Sequence, residues 1–182
     1  MKKSSLILLA ILIAACAKQS LQTTYDKQAS YIEKFISSQM NSDTTATLTE
    51  KSGAYRLTLH DTLDVSRDSL LKGGRAIMYY ACFTLTSSSL SSSNLVATNI
   101  KDLATQAGWA LTDSTRYKAD TLTLDSRLVP GLECGLDGVQ ALDEGYILFT
   151  GKYGYGGKEK GTIPARSALA YYFYIIDVKN ED

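Results

Sequence analysis

The strongest pattern in the chain lies in residues 127–179, which from position 128 onward read LVPGLECGLDGVQALDEGYILFTGKYGYGGKEKGTIPARSALAYYFYIIDV. The Val-Pro-Gly at 129–131 ends an extended run, because proline interrupts strand pairing and glycine permits a turn. Apolar side chains then recur at helical spacing, at Leu132, Leu136 and Val139. This spacing predicts a short helix that begins near Gly131 and extends to Ala141.

The second half of this stretch predicts two strands joined by a glycine-rich loop. Residues Tyr146–Phe149 are β-branched or aromatic, and Ala168–Val178 forms a longer apolar run. Five glycines lie between Gly151 and Gly161 and surround Tyr155. Because glycine adopts positive φ without strain, we expect this loop to turn inward and carry the tyrosine with it.

Weaker patterns upstream complete the predicted fold. Alternating or apolar runs predict strands at Tyr55–Leu59, Arg75–Thr86 and Thr121–Leu124. A helix capped by Asn99 is predicted over Ile100–Ala107. The fold class is α+β: a twisted antiparallel sheet of about five or six strands wrapped around the short central helix, with an extra N-terminal helix.

The order Val-Pro-Gly-Leu, short helix, strand, Tyr-Gly-Tyr-Gly loop, Thr-Ile-Pro-Ala and strand resembles the C-terminal half of FKBP-type peptidyl-prolyl isomerases. The family pattern is V-I-x-G-W-x-x-G-L, then A-Y-G, then I-P-P-x-A-x-L-x-F. The match is ungapped from Gly131 to Gly157 and again from Ile163 to Ile175. Several rigid glycine and proline positions fall in register with the apolar pattern, which makes the resemblance fairly specific.

The resemblance implies a set of site residues. Catalytic positions would be Tyr155, whose hydroxyl donates to the ligand, Val129, whose N–H meets the substrate carbonyl, and Tyr80. The remaining walls of the substrate pocket would be Val96, Leu128, Leu132, Ile163 and Tyr171. Tyr155 is expected to project into a cavity walled by Tyr80, Val129, Ile163 and Tyr171.

Several of these positions depart from the family pattern. Leu132 stands where the family has tryptophan, Tyr171 replaces phenylalanine, and Cys82 replaces a glycine. Val96 reduces an aromatic wall, and the family acid that orients the ligand is lost to Ala97. Each of these positions also has a simpler interpretation as part of the core.

Prolyl isomerisation needs no nucleophile, metal or proton shuttle, because only rotation about the amide bond is required. The leading interpretation is therefore a peptidyl-prolyl isomerase or folding helper without cofactors, acting on proline-containing polypeptides. The alternative is a non-catalytic module that keeps the fold and binds peptides or proteins. The losses at Ala97, Val96 and Leu132 favour that alternative.

The N-terminus predicts a secretory signal. Lys2 and Lys3 precede a short apolar run, and Ile13-Ala14-Ala15 leads into Cys16. This arrangement resembles the bacterial lipoprotein box, which implies lipidation at Cys16 in the cell envelope of a Gram-negative bacterium. Alanine at position 17, rather than aspartate, implies the outer membrane by the sorting rule of some such bacteria.

The predicted domain organisation has three parts: a signal peptide over residues 1–15, a lipidated tether and amphipathic helix over 16–48, and an FKBP-like domain over 49–182. Residues 17–24 form the polar tether, and Tyr25–Met40 carries an apolar helical face. That face either docks on the domain or pairs with a second copy, so both a monomer and a dimer are compatible with it. The segment from Trp109 to about Asp120 either packs as a lid or selects substrate.

Composition excludes other classes of function. Nineteen basic and nineteen acidic side chains give a net charge of zero, which provides no basis for nucleic-acid binding. His60 is the only histidine, so neither a His–His metal site nor a Ser-His-Asp triad elsewhere is expected. Cys82 and Cys134 remain as a possible disulfide or as two thiols, with thiols favoured because no distance supports a bond.

Overall fold

The computed structural model describes residues 2–59 and 67–181, with side chains from Gln19 onward apart from Ser114. His60 and the side chain of Cys16 lie outside the described residues. The strands are β1 (Thr47–Lys51), β2 (Ala54–Leu59), β3 (Arg75–Thr84), β4 (Leu95–Thr98), β5 (Asp120–Thr123), β6 (Glu144–Phe149) and β7 (Leu169–Lys179). The α-helices are α1 (Lys2–Ser42), α2 (Lys101–Gln106) and α3 (Pro130–Leu136), with 3-10 turns at Ser92–Asn94 and Ser114–Arg116.

The described strands form one antiparallel sheet in the order β1-β2-β6-β7-β3-β4, and β5 also pairs with β3. The predicted class, α+β with an N-terminal helix, is confirmed. The sheet has seven strands rather than five or six. Strand β1 was not predicted, and its first two residues, Thr47 and Leu48, lie in the segment 16–48 that we assigned to the tether and helix.

Strand β1 escaped prediction because it has no buried face. All five of its residues are exposed, so no alternation of apolar and polar side chains marks it. Its register depends on the Ser52-Gly53 turn, in which both residues have positive φ, 48° and 81°. Such a turn matches the twist of a two-stranded hairpin.

Alternation along β7 divides the interior into two sides of the sheet. Leu169, Phe173 and Ile175 belong to a core that includes Leu132 and Leu136 of α3. Ala170, between them, belongs to a second cluster on the opposite face, with Ile32, Phe35 and Ile36 of α1. The same face also carries a smaller cluster of Ala81, Phe83 and Leu95 against α2. Helices therefore cover both faces of the sheet.

The N-terminal helix is longer than predicted and docks on the domain. Residues 17–24, expected to be a tether, are helical within α1, since the segment contains no proline or glycine to interrupt it. Ile32 is fully buried, and Phe35 packs edge-on against Tyr146 with ring centroids 5.0 Å apart. The predicted apolar face therefore contacts the sheet over residues 32–36. Among the described residues, no helix combines the length and apolarity that crossing a membrane requires.

Helix α3 is shorter than predicted because Gly138 takes a positive φ of 84° and ends it, so the helix stops at Leu136 instead of Ala141. Val139 remains fully buried beyond the helix. The Arg56 guanidinium donates to the carbonyls of Gly135 and Asp137 at 3.2 and 2.8 Å. These bonds satisfy carbonyls at the helix end that have no partner within the helix.

Two glycines allow α3 to lie against the sheet. A Cβ on Gly131 would overlap the Phe149 ring, and a Cβ on Gly135 would overlap the Ile147 side chain. Both glycines are buried. The backbone of the helix therefore rests directly on β6.

We expect Gly135→Ala to destabilise the chain by about 1–2 kcal/mol. Overpacking a core costs about 1–3 kcal/mol, and the better helix propensity of alanine returns up to about 1 kcal/mol. Urea denaturation measures the change. Gly157→Ala is the control, because nothing lies within 4 Å of that position. If Gly135→Ala is as stable as the wild type, the close approach of α3 to β6 is incorrect.

Candidate active site

A cavity of about 400 Å³ lies beside the start of α3, on the face of the sheet that α3 covers. Six of the eight pocket residues named from the sequence line it: Tyr80, Leu128, Val129, Leu132, Tyr155 and Tyr171. These residues come from β3, the segment before α3, α3 itself, the glycine-rich loop and β7. The fold thus brings together positions separated by up to about ninety residues in the chain.

Two of the eight residues do not line this cavity. Ile163 is 8% exposed and is buried in the core cluster that contains Leu132, so it supports the cavity wall from behind. Val96 is half-buried and lines a neighbouring cavity instead. The expected wall around Tyr155 therefore consists of Tyr80, Val129 and Tyr171 without Ile163.

The cavity also includes residues that we did not predict. Besides Ala97, these are Met78, Asp120, Leu122, Arg127 and Lys160. Asp120 and Leu122 come from β5, whose position the resemblance did not determine. The period of two along β5 places both side chains on one face, and pairing of Asp120 with Met78 directs that face to the cavity.

The glycine-rich loop is held by backbone contacts that place Tyr155. The Gly131 N–H donates to the Tyr153 carbonyl at 2.8 Å, which ties the loop to the start of α3. The Gly156 N–H donates to the Gly151 carbonyl at 3.0 Å, and Gly156 takes a φ of 57°. A side chain at Gly151 would overlap the backbone of Arg166. Glycine is thus required at position 156 because φ is positive there, and at position 151 because the Arg166 backbone leaves no room for a side chain.

Asn99 anchors Tyr80 and does not cap α2 as predicted. Its amide oxygen accepts from the Tyr80 N–H at 2.7 Å, and its amide nitrogen donates to the Met78 carbonyl at 3.0 Å. The N-cap of α2 is Ile100, without a side-chain bond. Asn99 is 4% exposed, so its amide must be hydrogen-bonded within the protein. It bonds backbone groups of β3 next to Tyr80 that no neighbouring strand pairs on this edge.

The phenols and the thiol around the cavity are neutral at physiological pH. Burial raises the pKa of the Tyr171 hydroxyl well above its usual range, and the neighbouring Cys82 adds to the rise. Burial likewise raises the pKa of Tyr155, partly offset by its hydrogen bond with Tyr171. Burial, then the Asp120 carboxylate, raise the pKa of Tyr80, while Arg116 lowers it. Each hydroxyl therefore keeps a proton that it can donate.

Cys82 lies behind Tyr171 as a buried thiol. Burial raises its pKa to about 12, opposed by a hydrogen bond with Tyr171. Cys82 and Cys134 are both free. Within residues 2–59 and 67–181, no group of three or more His, Cys, Asp or Glu is placed to hold a metal ion.

We expect the stability of the fold to fall as the pH rises above about 9. Cys82 ionises near pH 9.0 when unfolded, but keeps its proton to about pH 12 when folded. Between these values the folded state binds more protons, so rising pH favours unfolding. At pH 10 the free energy of unfolding should be roughly 1 kcal/mol lower than at pH 9, since each pKa unit corresponds to 1.36 kcal/mol.

Urea denaturation at a series of pH values tests this expectation. The control is Cys82→Ala, in which the slope between pH 9 and 10 should flatten. The buried tyrosines contribute in the same direction above about pH 10, so the comparison is made below that value. The same slope in both proteins would contradict a buried neutral thiol at this position.

No family model and no curated protein matches this sequence. Among solved structures, the chain is similar to FkpA from Escherichia coli, with a TM-score of 0.57 and 13% identity over 97% of this chain and 71% of that one. It is also similar to the three FKBP domains of wheat FKBP73, with a TM-score of 0.55 and 9% identity over 75% of this chain. The match spans about half, 51%, of the wheat chain. The chain therefore has an FKBP-type fold, as the sequence resemblance implied.

Proposed function

We propose that the chain is a peptidyl-prolyl isomerase, or a folding helper, that binds proline-containing polypeptides in the Tyr155 cavity. The observation that carries the proposal is a neutral Tyr155 hydroxyl at an apolar cavity lined by Val129, Leu132 and Tyr171. An X-Pro ring fits such a cavity without needing a charged partner. The FKBP-type fold supports the proposal by analogy.

The mechanism follows from amide electronics. The barrier to rotation about a peptide bond is about 18–20 kcal/mol, because rotation destroys resonance between nitrogen and carbonyl. The twisted amide has less charge separation than the planar one, so an apolar wall such as Leu132 favours it relative to water. Donors that fit the twisted geometry better than the planar one then lower the barrier further. Tyr155 is the side-chain donor in this scheme.

The position of Val129 suits it to hold the substrate backbone. It is the N-cap residue of α3, with extended backbone (φ −66°, ψ 145°), and its carbonyl accepts from the N–H groups of Leu132 and Glu133. Its own N–H is proposed to donate to a substrate carbonyl, as a strand edge would. Because the rigid start of α3 fixes Val129, this donor is pre-organised.

The second candidate is a non-catalytic binding module on the same cavity. Ala97 lines the cavity where the family has an acid, and Leu132 supplies less surface than tryptophan would. An enlarged, less polar cavity still binds an apolar side chain, but it orients the amide less strictly. Binding without acceleration is the outcome that identifies this alternative.

We expect Tyr155→Phe to lower kcat/KM about two- to tenfold, because one hydrogen bond contributes about 0.5–1.5 kcal/mol net. Tyr155→Ala should lower it further, since it also admits water to the cavity. A protease-coupled prolyl-peptide assay on the chain without residues 1–16 measures both. Tyr174→Phe is the matched control, because this half-buried tyrosine of β7 does not line the cavity.

Binding decides the outcome if the wild type shows no isomerase activity. A prolyl peptide should then bind the wild type more tightly than Tyr155→Ala. Equal affinities would show that the cavity is part of the core and not a ligand site. Binding that depends on Tyr155, without acceleration, would establish the non-catalytic alternative.

We further propose that the chain is anchored in the cell envelope, in the outer membrane, through lipid on Cys16. The support is the basic start, the apolar run and the box at residues 13–16. Each buried CH₂ of an acyl chain contributes about 0.8 kcal/mol of membrane affinity. The docked helix α1 would connect this anchor directly to the sheet.

We expect Cys16→Ser to move the chain from the membrane fraction to the soluble fraction and to abolish labelling with radioactive palmitate. Cys134→Ser is the control, since it removes a different free thiol. Fractionation followed by immunoblotting measures the distribution. Unchanged palmitate labelling in Cys16→Ser would rule out this site of lipidation.

A further inference from the structure

Two further cavities adjoin the Tyr155 cavity. A second one, of about 230 Å³, shares both Tyr80 and Asp120 with it. A third, of about 530 Å³, shares Arg116 with the second and reaches Trp109 and Pro164. The row of three adjoining cavities is here called the extended groove.

The sheet creates this groove where one edge of β3 changes partner. Thr98 of β4 pairs with Ala81, and Asp120 of β5 pairs with Met78 on the same edge. Tyr80 lies between these two pairings. The chain between β4 and β5 leaves the sheet and carries α2, Trp109 and Arg116 over the gap. The groove therefore lies beside the gap between β4 and β5, where Asn99 already bonds the backbone groups of Met78 and Tyr80, so a ligand there is held by side chains.

The charge along the extended groove is unbalanced. Its cations are Arg116, Lys118, Arg127 and Lys160, whereas its only carboxylate is Asp120. Arg127 is already paired with Asp125 at 2.6 Å. Among the described residues, no carboxylate lies within 4.0 Å of the charged group of Arg116, Lys118 or Lys160.

A competing acid outside the groove is Asp113, an exposed residue three positions before Arg116. Its carboxylate accepts from the hydroxyl and the N–H of Thr115 at 2.6 and 2.9 Å. These bonds are the main reason that its pKa is lowered, and the charges of Arg116 and Lys118 contribute less. Both bonds use Asp113 Oδ1, and among the described residues the Asp113 carboxylate forms no ion pair within 4.0 Å with Arg116 or Lys118.

Arg116 is held at the junction of the second and third cavities. Its guanidinium lies 5.7 Å from the centroid of the Trp109 ring, an arrangement that favours a fixed orientation. Its charge also reaches the Tyr80 hydroxyl, whose pKa it lowers. A planar guanidinium in a fixed position binds carboxylates with defined geometry.

We propose that the extended groove binds an extended polypeptide segment whose proline occupies the Tyr155 cavity and whose acidic side chain, a few residues away, pairs with Arg116. The preferred client is thus a proline flanked by glutamate or aspartate. An extended chain advances about 3.3 Å per residue, so an acidic residue two or three positions from the proline would lie about 7–10 Å from it. This inference rests on the proposed function for the placement of proline, and it assigns the segment 109–118 to substrate selection as well as packing.

Binding of matched peptides tests the proposal. Each peptide contains one proline and one glutamate, and across the series the glutamate is moved one position at a time on either side of the proline. Each peptide is paired with a second one in which glutamine replaces the glutamate. Trp109 is the only tryptophan in the 182 residues and lines the groove, so its fluorescence reports binding to the full mature chain. At one or more positions the glutamate peptide should bind about two- to fivefold more tightly, the size of an exposed ion pair.

The dependence on salt and a substitution of Arg116 test whether this residue pairs with the glutamate of the peptide. The glutamate preference should shrink at high ionic strength, because exposed charges are screened. It should also disappear in Arg116→Met, which keeps part of the aliphatic stem. Arg75→Met is the matched control, since Arg75 pairs with Glu181 and lies outside the groove. The preference should persist in that variant.

Equal affinity of glutamate and glutamine peptides at every position in the wild type would overturn the proposal, and this comparison does not depend on any variant folding. A preference that survives in Arg116→Met would overturn the role of Arg116. The same peptides in the isomerase assay separate this inference from the proposed function. If the chain accelerates the isomerisation of both peptides equally, only the preference for acidic clients is refuted. If the glutamate peptide binds more tightly but neither peptide is accelerated, only the isomerase activity is refuted.

Discussion

The fold depends on the direct contact between the backbone of α3 and strand β6. Gly131 and Gly135 leave no side chain between the helix and the rings and methyl groups of Phe149 and Ile147. This close approach seals the core around Leu136, which is fully buried. It also fixes where α3 begins. The position of Val129, the residue just before the helix, is thereby fixed at the cavity. A bulkier residue at either glycine would move the helix and the cavity wall together.

The hydroxyls in the cavity stay neutral in a partly buried setting, and this determines what chemistry they support. The hydroxyls of Tyr80, Tyr155 and Tyr171 all keep their protons because burial penalises the phenolate. They serve as hydrogen-bond donors and not as bases. Such a site suits the polarity change of a twisting amide and is poorly suited to proton abstraction or nucleophilic attack. Ala97 adds an apolar side chain to the lining, while the only carboxylate among the lining residues, Asp120, enters from β5.

Helices α3 and α1 cover opposite faces of the sheet in different ways. On one side α3 leaves an open cavity at its start. On the other, Ile32, Phe35 and Ile36 of α1 pack over Leu148, and a separate cavity of about 450 Å³ lies beside α2, with Phe83, Tyr146 and Tyr172 in its wall. The segment between β4 and β5 links the sides at the edge of β3, where it places α2 behind the sheet and Arg116 in front of it.

The sequence by itself determined the class of fold and the positions of most strands, because glycine and proline restrict the backbone locally, and because the residues at Leu132, Leu136, Ile147 and Phe149 are apolar with regular spacing. Six of the residues around the cavity were named through the resemblance to the FKBP family, and their role in binding stays a prediction. The fully exposed strand β1 and the end of α3 at Gly138 escaped prediction, since neither changes the apolar periodicity. Only the tertiary structure decided that Ile163 is core and that Asp120 and Lys160 face the cavity. Their placement depends on which edge of β3 receives β5 and on how the glycine-rich loop folds back, and these are contacts between residues far apart in the chain.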